Sequence, residues 1–386
     1  MTEIIEKKDK VQQDALVSWL NAGNRGTLEL ITGLGKTKIA LDAVKLYPED
    51  AKILFLAETT GRELELENEQ QKWGLLGYKI KFACYQSAYK WKDTEWDLVI
   101  ADEIHDSLTP QYSKFYTNNK YKAIMGLSAT IDRKAVVDEE EMLLKGHLLD
   151  RFCPVVYTYG IDEGQEDGTA RKLEVYVINH KLDVLTKNVQ GGSKAKPFMQ
   201  TEWSAYQYRD DQFRKAIFSP EHIKQFKIRT TSAARAKLLY DLPSKIGATK
   251  KLLDNLSGKT IIFGNSLSAL EQITPNVVSS NNTDDKNKEI RENFDTGMID
   301  HIASFKKLKQ GANLVGLDNV IIHSYYGKSK DLIQRIGRLR QNGEVGKVFV
   351  FCTFGTQEVK WLENMFDSTS ITKIPCYDID DCILKF

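Results

Sequence analysis

Three short stretches of this 386-residue chain combine residue types that handle phosphate. In Thr32, Gly33, Leu34, Gly35, Lys36 and Thr37, two glycines let backbone N–H groups turn inward. Lys36 can reach β- and γ-phosphates, and the Thr37 hydroxyl can ligate Mg²⁺. TLELIT precedes this stretch and KIALDAVKLY follows it, so the loop joins a predicted strand to a predicted helix whose amino terminus adds partial positive charge. Leu30 stands where the strict form of the pattern has a glycine.

Asp102 and Glu103 follow the apolar run DLVIA, which puts them at the carboxyl end of a buried strand, the edge where open α/β sheets bind ligands. Adjacent carboxylates repel unless a cation lies between them and a phosphate. Asp102 can hold Mg²⁺, and Glu103 can orient and deprotonate an attacking water. Alone, such a pair is equally a solvated strand end or a helix cap; beside a GKT turn it reads as a phosphoryl-transfer site. Further on, Gln334, Arg335, Ile336, Gly337, Arg338, Leu339 and Arg340 bring three arginines close together. Arg335 and Arg338 share a helical face while Arg340 points elsewhere, and guanidinium forks match phosphate oxygens; the plainer reading is a charged helix face.

The elements that must position these residues are legible from period and punctuation. Within residues 1–150, short β-branched runs at 27–32, 52–57, 80–85, 97–101 and 122–128 alternate with polar helical stretches, which predicts a doubly wound parallel sheet. A second series at 259–264, 276–280, 300–304, 319–325 and 347–352 repeats the alternation. The expected fold is α/β, two tandem doubly wound parallel-sheet domains, 1–150 and 151–386. PVVYTY and LEVYVINH look like strands, and a mainly helical insertion is expected at about 183–256.

Composition closes off several classes. The chain is 41% hydrophobic and 28% charged with eight prolines, which suits packed structure and excludes collagen-like or wholly disordered chains. No apolar run is long enough to span a membrane, and MTEIIEKKDK is charged where a signal peptide is apolar. Five scattered cysteines without a CxxC pair give neither a disulfide framework nor a zinc site, so a reducing cytoplasm is the expected setting. With 54 basic and 53 acidic residues, a polyanion must be held by local clusters. The strongest cationic segment runs from His222 to Lys251, with Lys224, Lys227, Arg229, Arg235 and Lys237 as candidate backbone contacts or, equally, as a structural face. Trp203, Tyr206, Tyr208, Phe213 and Phe218 just before it could stack bases or simply pack the inserted helices.

Taken together, the set resembles the superfamily 2 helicases and translocases of the DExH type, over nearly the whole chain. TGLGKT corresponds to Walker A, DEIH to motif II, LSAT to motif III, IIF at 261–263 to motif IV and QRIGRLR to motif VI. The resemblance implies two RecA-like domains with ATP bound in the cleft between them, Mg²⁺ as cofactor and nucleic acid as track, DNA before RNA. It also implies that Gln12 reads adenine, and that His105 and Gln334 link the γ-phosphate to the domain faces. Ser128 and Thr130 would couple nucleotide state to the bound strand. Thr60, Arg62, Tyr85, Gln86 and Ser87 match nucleic-acid contacts, and Gly311 lies in the matching motif V loop, where Asn313 replaces the usual Asp. Arg338 is the expected γ-phosphate arginine, because Arg340 falls one residue short of the family position. The compact layout most resembles small phage or bacterial DNA helicases and branch-remodelling annealing enzymes. The expected function is an ATP-dependent DNA helicase or translocase. Its rivals are an RNA helicase of the same fold and a motor subunit of a restriction or repair complex that hydrolyses ATP only with a partner.

Overall fold

The computed structural model describes residues 2–58, 60–129, 131, 139–193, 195–305, 316–326, 336–337, 339, 344–366 and 371–386, with backbone alone at 2, 60–65 and 139–143. One compact unit is built on Met1–Lys172, the other on Leu173–Lys328 and Glu344–Phe386. The expected division at residue 150 falls inside the helix Glu139–Phe152.

In the first unit, strands β1 (Arg25–Leu30), β2 (Ile53–Ala57), β3 (Ile80–Cys84), β4 (Glu95–Ala101), β5 (Lys120–Ser128) and β6 (Val155–Tyr159) form one sheet in the order β3-β2-β4-β5-β1-β6. Every pairing in it is parallel. β6 extends this unit past residue 150, because its backbone completes the ladder on the free side of β1. All five residues of β2, ILFLA, are buried, as a strand covered on both faces requires. Its side chains alternate between two cores. Phe55 packs with Trp19, Leu28, Ile39 and Met125 on one face, and Leu54 and Leu56 pack with Val99, Ile124 and Phe115 on the other. Trp19 also donates Nε1–H to the Ile124 carbonyl at 2.8 Å, which ties the helix Thr2–Asn21 to the sheet.

β1 and β4 flank β5 in the sheet and run the same way, so the loop after Leu30 and the residues after Ala101 emerge at one edge. That shared carboxyl edge is the geometric basis of the site.

In the second unit, β7 (Leu173–His180), β10 (Lys259–Phe263), β11 (Val277–Ser279), β12 (His301–Phe305), β13 (Leu317–Ile322), β14 (Gly346–Thr353) and β15 (Lys373–Cys376) pair in parallel in the order β11-β12-β10-β13-β14-β7-β15. The two sheets give the expected pair of RecA-like α/β layers. β15 carries Pro375 and lies at the sheet's edge, where a residue with no N–H is tolerated.

The segment expected to be helical holds the helices Glu202–Ile217, Glu221–Tyr240 and Pro243–Asn255. It also holds an antiparallel hairpin of β8 (Val189–Ser193) and β9 (Lys196–Gln200), two strands that the mainly helical expectation did not include. The hairpin is held by its ladder and by a left-handed Gly192 at φ 82, with no residue of either strand buried, so it lacks the alternating apolar pattern that marks a strand.

Candidate functional site

After Leu30 the chain turns through Gly33 at φ 87 and Gly35 at φ 90, both left-handed and costly for any residue with a Cβ. A Cβ on Gly33 would meet nothing within 4 Å, so this side of the turn is open. A Cβ on Gly35 would stand 2.7 Å from Gln12 Nε2, so the turn is closed against the first helix there. Gln12 Nε2 donates to the Leu34 carbonyl at 2.6 Å while its Oε1 accepts from Lys38 at 2.5 Å, and Lys38 also reaches Asp9 at 2.9 Å. The helix Lys36–Val44 starts directly from Gly35 and buries Ile39, Ala40, Leu41, Ala43 and Val44. Its packing therefore fixes the direction in which its amino-terminal N–H groups point.

Lys36 Nζ lies 3.3 Å from the Leu30 carbonyl and 3.9 Å from Glu103 Oε1, with its side chain 12% exposed. Glu103 itself has φ 47 and ψ 52, a left-handed backbone uncommon outside glycine and typical of strained functional positions. Its Oε2 is buried and makes no hydrogen bond, and His105 Nδ1 stands 3.5 Å away. The same His105 nitrogen is 2.8 Å from Ser128 Oγ, and its Nε2 is 3.3 Å from Asp106. Lys36, Glu103, His105 and Ser128 thus form one contiguous polar line along the sheet edge.

Asp102 is 6% exposed and its N–H is held by the Leu56 carbonyl at 2.9 Å. The Tyr85 hydroxyl donates to the Asp102 carbonyl at 2.8 Å. Tyr85 is 2% exposed, and burial first, then neighbouring charges including Asp102, pushes its phenol well above the ordinary range, so it stays a neutral donor. This corrects the expectation that Tyr85 touches nucleic acid: it lies beneath Asp102 and positions it. Neither that role nor the Lys38–Gln12–Asp9 clasp carried a usable sequence signal beyond Asp9 and Gln12 sharing a helical face.

Gln86 and Ser87 are exposed on the short helix Tyr85–Ala88 at the end of β3, Ser87 Oγ donating to the Cys84 carbonyl at 2.9 Å. Thr60 and Arg62 fall in the first turn of the helix Thr60–Lys72, with side chains outside the described residues. Thr130, Gly311, Asn313, Gln334, Arg335, Arg338 and Arg340 lie outside the described residues as well.

The cationic stretch divides in two. Lys224 pairs with Glu221, Arg235 with Asp210, Lys245 with Glu358 and Lys251 with Asp380. Lys227, Arg229, Lys237 and Lys250 are exposed and have no ion pair among the described residues. The aromatic residues divide too: Tyr206 is 4% exposed, whereas Trp203, Tyr208 and Phe218 are 46%, 57% and 87% exposed.

Three comparisons bear on this geometry. The helicase conserved C-terminal domain family matches residues 244–343. The DNA 3'-5' translocase XPB2 of Sulfurisphaera tokodaii is 24% identical over 385 residues, covering 92% of this chain and 84% of the relative. The helicase domain of Pyrococcus furiosus Hef superposes with TM-score 0.52 at 13% identity, covering 90% of this chain and 96% of that one. S. cerevisiae Dbp5 bound to RNA and ADP BeF3 superposes with TM-score 0.59 at 12% identity, covering 97% and 90%. Among the described residues, no helix is long and apolar enough to cross a membrane.

Proposed function

We propose that the chain is an ATP-hydrolysing nucleic-acid helicase or translocase of the superfamily 2 type, a DNA motor whose turnover depends on the strand it tracks, a reading that the helicase-domain match and the translocase similarity support. The observation that carries the catalytic assignment is the approach of Lys36 Nζ to Glu103 Oε1 across 3.9 Å, at the open side of the Gly33 turn. An ammonium and a carboxylate from separate motifs converge beside the open side of the Gly33 turn and the amino terminus of the helix Lys36–Val44.

In this reading the N–H groups after Gly33 and the Lys36 ammonium bind the β- and γ-phosphates of ATP. Glu103, held by its left-handed backbone and by His105, uses its unsatisfied Oε2 to orient the attacking water and take its proton. Ser128 Oγ meets the same His105 nitrogen that faces Glu103, so the state of the γ-phosphate can reach the strand end that leads to Thr130. Gln12 grips the loop through Leu34 and is assigned to the adenine edge. Gln334, Arg335 and Arg338 are assigned to phosphate charge, and Gly311, Thr60, Arg62, Gln86, Ser87, Lys224, Lys227 and Arg229 to the strand.

The donor set suits magnesium. Thr37 and the nearly buried Asp102 offer hard oxygen ligands at one sheet edge, and the phosphates supply the rest. When bound, the ion would neutralise charge on the transferred phosphoryl group.

DNA is favoured because the translocase similarity runs over 92% of the chain. The deciding assay compares ATP hydrolysis with no nucleic acid, single-stranded DNA, forked DNA and RNA of matched length. Strongest stimulation by a DNA supports the proposal; RNA alone stimulating would replace it with an RNA motor, and activity appearing only with an added protein would make the chain a partner-dependent subunit.

A further inference from the structure

The helices Glu202–Ile217 and Glu221–Tyr240 pack as a hairpin whose base is fastened to the second sheet. Glu202 is fully buried and accepts from the Asp183 N–H at 2.9 Å and the Ser244 N–H at 2.8 Å, while the Tyr206 hydroxyl accepts from the Gln357 N–H at 3.2 Å. Midway, Arg235 pairs with Asp210 and lies 3.9 Å over the Phe213 ring, locking one helix to the other. The turn end has no such cover. Phe218 is 87% exposed and Phe226 72%.

Phe226, Arg229, Ala233 and Lys237 recur at three- and four-residue steps and so share one face of the second helix, about 16 Å long at 1.5 Å per residue. Lys227 flanks it, and no acid occurs between His222 and Tyr240. Arg229, Lys237 and Lys227 are exposed without an ion pair among the described residues. Single exposed aromatics are unremarkable on a surface. Two at the end of a rigid arm, beside unpaired cations, fit a ligand with both anionic charge and flat apolar faces. A lipid surface fits poorly, since Arg229 and Lys237 interrupt this face and leave it without a continuous apolar stripe.

Resting on the motor reading above, we infer that this hairpin is a single-strand-binding arm. Phe226 and Phe218 stack bases, while Arg229, Lys237 and Lys227 hold phosphates. Duplex DNA hides its base faces inside the stack, so the aromatic share of affinity is available only to unpaired nucleotides.

The test uses the full chain with labelled oligo(dT) and a blunt duplex in the same buffer, read by fluorescence anisotropy across a salt series. Phe226→Ala should weaken oligo(dT) binding about 5- to 150-fold and duplex binding less than twofold, and Phe226→Trp should restore it. Arg229→Gln with Lys237→Gln should flatten the salt slope for both ligands. Thermal midpoints should not move, because both phenylalanines are mostly solvated. Equal losses on both ligands, or none on either, would overturn the arm. So would concentration-dependent self-association abolished by Phe226→Ala with DNA affinity intact, which would make the tip a self-docking surface. If wild type shows strand-stimulated hydrolysis yet Phe226→Ala binds like wild type, the arm alone fails; if wild type shows no stimulated hydrolysis, the motor reading fails.

Discussion

Lys36 Nζ and Glu103 Oε1 lie 3.9 Å apart although they come from different motifs, one after β1 and the other after β4 of the first sheet. The distance is long for a salt bridge and short for chance. With side chains 12% and 16% exposed, each charge lowers the cost of burying the other. Two parallel strands flanking β5 produce this approach, and the left-handed backbone at Glu103 turns its carboxylate toward the loop.

The loop itself depends on two glycines with different surroundings. Gly33→Ala and Gly35→Ala should each cost about 1–2 kcal/mol in backbone strain. Gly35→Ala should cost more, because its Cβ would sit 2.7 Å from Gln12 Nε2. Thermal unfolding should show Gly35→Ala as the less stable variant, and adding Gln12→Ala should recover part of its loss but do nothing for Gly33→Ala. Equal midpoints for both single variants would dismiss the Gln12 contact.

In the second unit, Lys245 and Glu358 are fully buried and joined at 2.8 and 2.9 Å. Lys245 also donates to the Leu239 carbonyl at 3.2 Å, and Glu358 accepts from the Thr353 N–H at 2.8 Å, so the pair ties the end of the arm to β14. Lys245→Met strands a buried carboxylate and should destabilise by about 3–5 kcal/mol. The double variant Lys245→Met, Glu358→Leu should be more stable than Lys245→Met alone, in denaturant or heat. A double variant that is worse would mean that the geometry, rather than the uncompensated charge, dominates.

Acid should loosen the same region. Burial first, then the Lys245 charge, lowers the pKa of both His180 and His323 to about 3. In the unfolded chain a histidine titrates near 6.5, so between about 3 and 6.5 the unfolded state binds more protons than the folded one. The stability these groups contribute is complete above 6.5 and falls as pH drops through that window, by up to about 1.4 kcal/mol per pH unit for each histidine. Denaturation midpoints at pH 7.5 and 5 should differ less in a His180→Asn, His323→Asn variant than in wild type. An unchanged pH dependence would remove the histidines from the account.

Much of this was readable from the sequence, for reasons that also mark where reading stops. ILFLA and the LVIA of residues 98–101 are continuous apolar runs of strand length, as strands buried on both faces require, and Asp102 and Glu103 follow the second directly. Tyr85 was grouped with Gln86 and Ser87 by the resemblance, and nothing local reveals that its phenol reaches the Asp102 carbonyl. The cationic stretch looked uniform because its partners, Asp210, Glu358 and Asp380, are remote in sequence. The hairpin Val189–Gln200 left no pattern, since no residue in its strands is buried.

The most direct test of the account is to measure ATP binding and strand-stimulated turnover together in Glu103→Gln and Lys36→Ala. Glu103→Gln should bind ATP about as wild type does while turnover falls by about 10²- to 10⁴-fold, and Lys36→Ala should lose both. Near-normal turnover in Glu103→Gln, or undiminished ATP affinity in Lys36→Ala, would contradict the claim that these two side chains serve one triphosphate.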